Sequence, residues 1–165
     1  MRIAIIDSSC LISLSHLGLA SKLSLFFQLV FVPVSVQREV NRKQRFRYRL
    51  NKLYKSGLFQ KCVAADRVRV EWLLNDLHEG EAEALVQAQE KQAGFFIGDE
   101  RRAREISQLM GIKPVGTVRM LARLNIDGLA DDPRKLVRKL RKDLGYQVSD
   151  SIVDQAIDGP SEPIT

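Results

Sequence analysis

Ile3 to Ile6 is a short, wholly apolar run rich in β-branched residues and ended by Asp7, the pattern of a parallel strand buried on both faces. Ser8 and Ser9 can cap a helix in which Leu11, Ile12, Leu14 and Leu17 recur at helical spacing until Gly18 interrupts them. Leu29 to Val32 is a second apolar run closed by Pro33, and Val34, Val36 and Val40 then open another helix with the proline near its first turn. From Arg42 to Gly57 the spacing predicts a basic helix with Phe46, Leu50, Leu53 and Tyr54 near one face.

Val68 to Leu73 alternates apolar and polar residues and is predicted as a strand. Gly80 precedes EAEALVQAQEKQ, a strong helix former with Ala84, Leu85 and Ala88 on one side. Phe95 to Ile97 is the next strand, ended by Gly98 and Asp99. Glu100 to Met110 is helical with Ala103, Ile106, Leu109 and Met110 inward, and Gly111 stops it. Ile112 to Val115 supplies a last strand, and Gly116 and Thr117 turn into and cap a helix carrying Val118, Leu121 and Leu124. Pro133 to Leu144 sets Leu136, Val137, Leu140 and Leu144 beside a basic face, suited to internal packing by default or to a partner groove.

Strand and helix alternate about five times with short connections, which predicts an α/β domain whose parallel sheet is covered on both faces and whose site lies at the carboxyl ends of its strands. The expected organisation is one domain over residues 1–158, with a basic helical insertion at about 42–61 and a flexible tail at 159–165. No apolar run approaches the roughly 18 to 20 residues that span a bilayer, and no signal-peptide pattern opens the chain, so a cytoplasmic protein is expected. Cys10 and Cys62 lack the spacing of a zinc site or a disulfide framework and read as small buried residues. His16 and His78 lack catalytic or metal spacing and read as structural.

Charge changes the picture. Lysine and arginine number 26 against 20 acids, a net charge of +6 that favours polyanionic partners. Between Arg38 and Lys61 stand nine basic residues against the single acid Glu39, interleaved with Phe46, Tyr48 and Tyr54, a pattern that suits phosphate tracking as readily as a solvated face. Arg42, Arg45 and Arg49 here, and Arg101 and Arg104 after the fourth strand, are the candidate nucleic-acid contacts.

Four acids share an address on this reading. Asp7 follows the first strand, Glu39 lies in the helix after the second, Glu81 opens the mid-chain helix, and Asp99 ends the strand before Glu100. A hard divalent ion such as Mg2+ or Mn2+ takes oxygen ligands of this kind, and carboxylates that share a pocket need a cation or a proton to offset their repulsion. Capping and macrodipole pairing are the competing explanations at each position. Glu83, two residues from Glu81 on the same helix, is expected to point elsewhere.

At these residues the chain resembles the PIN domain family, in particular its small prokaryotic toxin-related nucleases. "IIDSSCLISL" from Ile5 looks like the family's opening strand, acid, hydroxyl and helix, and "VFVPVSVQREV" from Val30 like the second strand with its helical glutamate. "GEAEALVQA" from Gly80 and "FFIGDERRAREISQLMGIKPVGT" from Phe95 resemble the third and fourth acidic motifs. The resemblance spans Ile3 to about Leu124. It implies a three-layer α/β/α sandwich and Mg2+- or Mn2+-dependent cleavage of RNA at Asp7, Glu39, Glu81 and Asp99, with Ser9 and Glu100 in support. The partners it implies are an RNA substrate and a small antitoxin protein; a second copy of the chain is a further candidate partner, apart from the resemblance. The third acid is a glutamate where many PIN nucleases have aspartate, and two adjacent acids, Asp99 and Glu100, compete for the fourth position.

Two other readings are weighed against this one. A PIN fold that binds a protein or nucleic acid without turnover is one, and the set of four acids argues against it. A small sugar- or nucleotide-phosphate enzyme is the other. It lacks support because there is no glycine-rich phosphate loop and no DxD pair after the first strand.

Overall fold

A computed structural model of the chain describes residues 1–159 and Ile164, apart from the side chains of Gln44 and Arg45. The elements run β1 (Ile3–Ile6), α1 (Ser8–His16), a 3-10 turn (Ala20–Leu25), β2 (Leu29–Pro33), α2 (Val34–Arg42), α3 (Gln44–Lys55), β3 (Phe59–Cys62), α4 (Arg67–Leu73) and α5 (Glu79–Glu90). They continue with β4 (Phe95–Ile97), α6 (Arg101–Leu109), β5 (Lys113–Val115), α7 (Thr117–Ile126), α8 (Pro133–Leu144) and α9 (Asp150–Asp158).

The strands form one sheet in the order β3-β2-β1-β4-β5, and every neighbouring pair is parallel. Alternation along a strand then divides the core. Ala4 and Ile6 point into one cluster with Leu11 and Leu14 of α1, Val36 of α2, Leu50 of α3, Leu121 of α7 and Leu140 of α8. Ile5 points the other way, into a cluster with Val70 of α4, Leu85 of α5 and Ile106 of α6. The result is the expected α/β/α sandwich. Each fully buried aliphatic side chain, such as Ile5, Ile6 or Leu85, contributes about 1.5–3 kcal/mol through burial.

Strand order positions the site. From central β1 the chain builds outward through β2 and β3, then returns to the opposite flank for β4 and β5. Between β1 and β4 the order reverses, so the connections leave to opposite faces and open a crevice beyond the strands' carboxyl ends. Ile6 is in register with Ile97, and the Asp7 amide donates to the Ile97 carbonyl at 3.0 Å. Asp7 and Asp99 therefore leave the sheet side by side.

Three expectations are corrected. Residues 68–73 are helical rather than extended: Asp66 accepts from the Arg69 amide at 3.0 Å as N-cap, and of the alternating Val68, Val70 and Trp72 only Val70 is buried. The strand lies earlier, at Phe59–Cys62, inside the span expected to be helical to about residue 61. It pairs with one neighbour only, at the edge of the sheet, so Gln60 and Lys61 are exposed and the apolar signal of a central strand is absent. Leu109 is exposed, because it lies off the stripe formed by Ala103, Ile106 and Met110.

α3 does form, and it buries Phe46, Leu50 and Leu53. Within the stretch expected as a tail, Ile164 is buried and its carbonyl accepts from Arg2 Nη1 at 3.3 Å, while residues 160–163 and 165 lie outside the described residues. Both cysteines are buried and free. Among the described residues no helix is long and apolar enough to cross a membrane.

Candidate active site

Asp7 is the N-cap of α1. Its Oδ1 accepts from the Cys10 amide at 2.8 Å, and the Ser9 hydroxyl lies 3.1 and 3.2 Å from its two oxygens. Capping normally favours the charged carboxylate. Here it is outweighed: Asp7 is only 4 % exposed, and burial followed by repulsion from Asp99 pushes its pKa up to about 7. Asp7 is at once a helix cap and a buried acid beside a second one, and burial dominates its electrostatics.

Asp99, half-buried two residues beyond β4, is held by residues far from it in sequence. Its Oδ1 accepts from the Thr117 amide at 2.7 Å, and its Oδ2 accepts from the Thr117 hydroxyl at 2.7 Å and the Tyr146 hydroxyl at 2.9 Å. It thus occupies the amino end of α7, where the helix dipole favours an anion. Gly116 makes room for it, since a Cβ there would stand 3.0 Å from Asp99 Oδ1. Thr117, expected to cap α7, is instead its first helical residue, and its buried hydroxyl serves Asp99. Cys10 Sγ lies 3.1 Å from that hydroxyl, linking the surroundings of the two aspartates.

The remaining acids form a looser rim. Glu81 is half-buried, its carboxylate accepts from the His78 amide at 3.1 Å, and burial followed by the nearby Glu100 and Glu39 raises its pKa. Glu100 is exposed and caps α6 by accepting from the Ala103 amide at 2.8 Å. Glu39 is exposed on α2. A cleft of about 340 Å³ brings Ser9, Glu39, Lys43, Asp99, Glu100 and Tyr146 to one surface. Between the two neighbours, Asp99 is therefore the one paired with Asp7, while Glu100 serves its own helix. Glu83 does point elsewhere, to Arg67 at 2.7 Å.

No three acids, histidines or cysteines among the described residues are grouped closely enough to form a ready metal cage. What converges is a pair of aspartates with hydroxyls beside them. That donor set fits Mg2+ or Mn2+, hard ions that are commonly held by one or two carboxylates and complete their shell with water and substrate phosphate.

The candidate basic contacts are divided. Arg42 is exposed at the end of α2, and its neighbour Lys43 lines the acidic cleft. The side chain of Arg45 lies outside the described residues. Arg49 donates to the Ser15 and His16 carbonyls at the end of α1, a capping task. Arg101 pairs with Glu105 at 2.9 Å on the surface, whereas Arg104 is half-buried beside Gly116 and shares a second cavity with Asp99 and Tyr146. His16 bonds Asp143 at 2.7 Å.

Acids at the ends of β1 and β4, on an all-parallel sheet of this order, agree with the comparison of the whole chain: a family model described as a PIN domain (DUF3368) matches residues 3–162. The chain belongs to the PIN domain family. Its nuclease-type fold accounts for placing Asp7 and Asp99 at the topological switch point. No curated protein matches this PIN domain. Thr117 and Tyr146 are the site residues that sequence reasoning missed. Thr117 carried a signal, a hydroxyl just after the last strand, but it read as a cap; Tyr146 carried none.

Proposed function

We propose that this PIN domain is a Mg2+- or Mn2+-dependent ribonuclease. The observation that carries the reading is Asp7, a carboxylate buried against a second carboxylate with its pKa raised to about 7, an arrangement that a cation would relieve. Asp7 and Asp99 would hold the ion, with Glu39 and Glu100 at the cleft to receive its waters and Ser9 to orient a ligand. A bound ion of this kind supplies Lewis acidity toward the phosphodiester and a water of lowered pKa. The chain itself orients the carboxylates through the Cys10 amide and Thr117, and Lys43 and Arg42 offer cations to the phosphates beside the cleft. RNA is favoured over small phosphorylated substrates because the basic outer face of α3 continues from Lys43 and presents Arg47, Lys52, Lys55 and the 79 % exposed Tyr48.

The test is cleavage of labelled single-stranded and structured RNAs with Mn2+, Mg2+ or EDTA, beside an Asp7→Asn variant. Metal-dependent cutting that the variant loses supports the reading. RNA binding without cutting under every metal condition replaces it with a noncatalytic interaction protein.

A further inference from the structure

We propose that Tyr146, in the connection between α8 and α9, is a positioning residue that fixes Asp99 for metal binding; the inference rests on the metal-site reading above. Tyr146 stands 47 residues from Asp99, outside the elements that carry the four acids, yet its hydroxyl donates to Asp99 Oδ2 at 2.9 Å. The chain is built to deliver it. Gly145 ends α8 with φ +68°, a left-handed conformation that a side chain would strain. Its amide bonds the Arg141 carbonyl at 3.0 Å, and this turn sends Tyr146 back over the site. Beyond it, Arg141 donates to the Val148 carbonyl at 2.7 Å and to Asp150 at 2.8 Å, and Gln147 donates to the Gly145 carbonyl at 3.2 Å. The segment is fastened at both ends of a four-residue span.

Counting lone pairs shows what this does. A carboxylate has about four acceptor positions. In Asp99 the Thr117 hydroxyl and Tyr146 take both on Oδ2, and the Thr117 amide takes one on Oδ1. Among the described residues Oδ1 therefore accepts fewer bonds from Thr117 and Tyr146 than Oδ2 does, which suits a single metal–oxygen bond there from a carboxylate whose rotation is restrained. Partners of this outer-shell kind orient the ligand and cost affinity when removed. Tyr146 also stands between two hollows, the acidic cleft and the cavity of about 300 Å³ that holds Arg104, and Asp99 faces both. Its hydroxyl therefore joins Thr117 in setting which way that carboxylate is turned.

The experiment is Mn2+ titration of the metal-free protein, with free ion followed by electron paramagnetic resonance, for wild type, Asp7→Asn, Tyr146→Phe and Tyr54→Phe. Phenylalanine keeps the ring and removes only the donor. Tyr54, a buried hydroxyl with no partner among the described residues, controls for loss of a phenol elsewhere. Tyr146→Phe is expected to weaken Mn2+ binding roughly ten-fold or more, while Tyr54→Phe matches wild type. RNA cleavage by Tyr146→Phe should return toward the wild-type rate at excess Mn2+. If wild type binds Mn2+ in an Asp7-dependent way and Tyr146→Phe binds equally or more tightly, the role of Tyr146 is overturned and the site stands. If wild type shows no Asp7-dependent binding, both fall.

Discussion

The five acids around the crevice divide into an inner pair at the ends of β1 and β4 and a looser rim of three. Asp7 and Asp99 lie at the switch point, Asp7 fully buried, and Asp99 takes its hydrogen bonds from Thr117 and Tyr146, in other elements of the chain. Glu81 and Glu100 bond amides of their own helix ends, at 3.1 and 2.8 Å, and Glu39 and Glu100 face solvent. A solvent-facing or half-buried carboxylate that caps its own helix, as Glu100 and Glu81 do, is explained by the helix. A buried carboxylate set beside a second one has no such local explanation, because desolvation and repulsion both oppose its charge; a bound cation, as proposed above, would offset them. On the metal-site reading proposed above, the inner pair carries the chemistry, and the rim divides its work between local structure and the cleft.

The sharpest way to break that division is to neutralise one acid from each group. Asp7→Asn keeps the acceptor for the Cys10 amide while removing the charge, and metal-dependent RNA cleavage should fall by about 100-fold or more, the scale of several kcal/mol of charge stabilisation. Single-turnover cleavage rates measure it. Glu100→Gln should cost far less, and an equal loss would erase the distinction between pair and rim.

The same substitution should act on stability with the opposite sign. Asp7 has a folded-state pKa of about 7 against 3.8 for the free side chain, so between those values the folded chain binds the extra proton. Its contribution is favourable below about pH 4 and is lost as pH rises toward 7. The full difference of roughly three units corresponds to a cost on the order of 4 kcal/mol above pH 7 in the metal-free protein. Urea midpoints from pH 4 to 8 should therefore fall less steeply for Asp7→Asn than for wild type, and Mn2+ at pH 8 should recover stability for wild type only. Parallel slopes would mean that Asp7 carries no buried charge penalty.

What the chain spells out and what it hides follow from the same contrast between local and distant partners. β1 and β4 are legible because strands covered on both faces must be apolar throughout, and the acids that close them stand out against IAII and FFI. β3 is hidden because an edge strand of sequence FQKC buries only its two end residues, and α4 because its period-two pattern buries one valine while Asp66 caps a helix. α9 was not foreseen, although Ser149 caps it by accepting from the Ile152 amide. Asp7 and Asp99 could be located from the ends of their strands. Tyr146 could not, since its role is created by the turn at Gly145 and has no spacing in the sequence to betray it.

At the rim, the cap of α6 gives a smaller effect. Glu100→Ala removes the acceptor of the Ala103 amide and should cost about 1 kcal/mol, whereas Glu100→Gln retains an acceptor and should stay within about 0.5 kcal/mol of wild type. Thermal or urea unfolding of the two variants side by side separates the cap from the charge. If glutamine destabilises as much as alanine, the charge of Glu100 matters to the fold and the rim is less independent than its hydrogen bonds indicate.

Glu81 gives the smallest expected change and tests the boundary between the groups most finely. Its carboxylate accepts from the His78 amide, so Glu81→Gln preserves that bond and alters charge alone. Burial, with Glu100 and Glu39 nearby, raises its pKa above the usual 4.5. The sign is that of Asp7: stability is favoured below the unfolded pKa and eroded as pH rises through the folded one. Because the group is half exposed, solvent screens most of the penalty, and Glu81→Gln should gain no more than about 0.5 kcal/mol at pH 7 in urea unfolding without metal. A gain close to that of Asp7→Asn, together with a comparable loss of Mn2+ affinity, would move Glu81 from the rim into the inner site and make the ion's carboxylate shell a set of three.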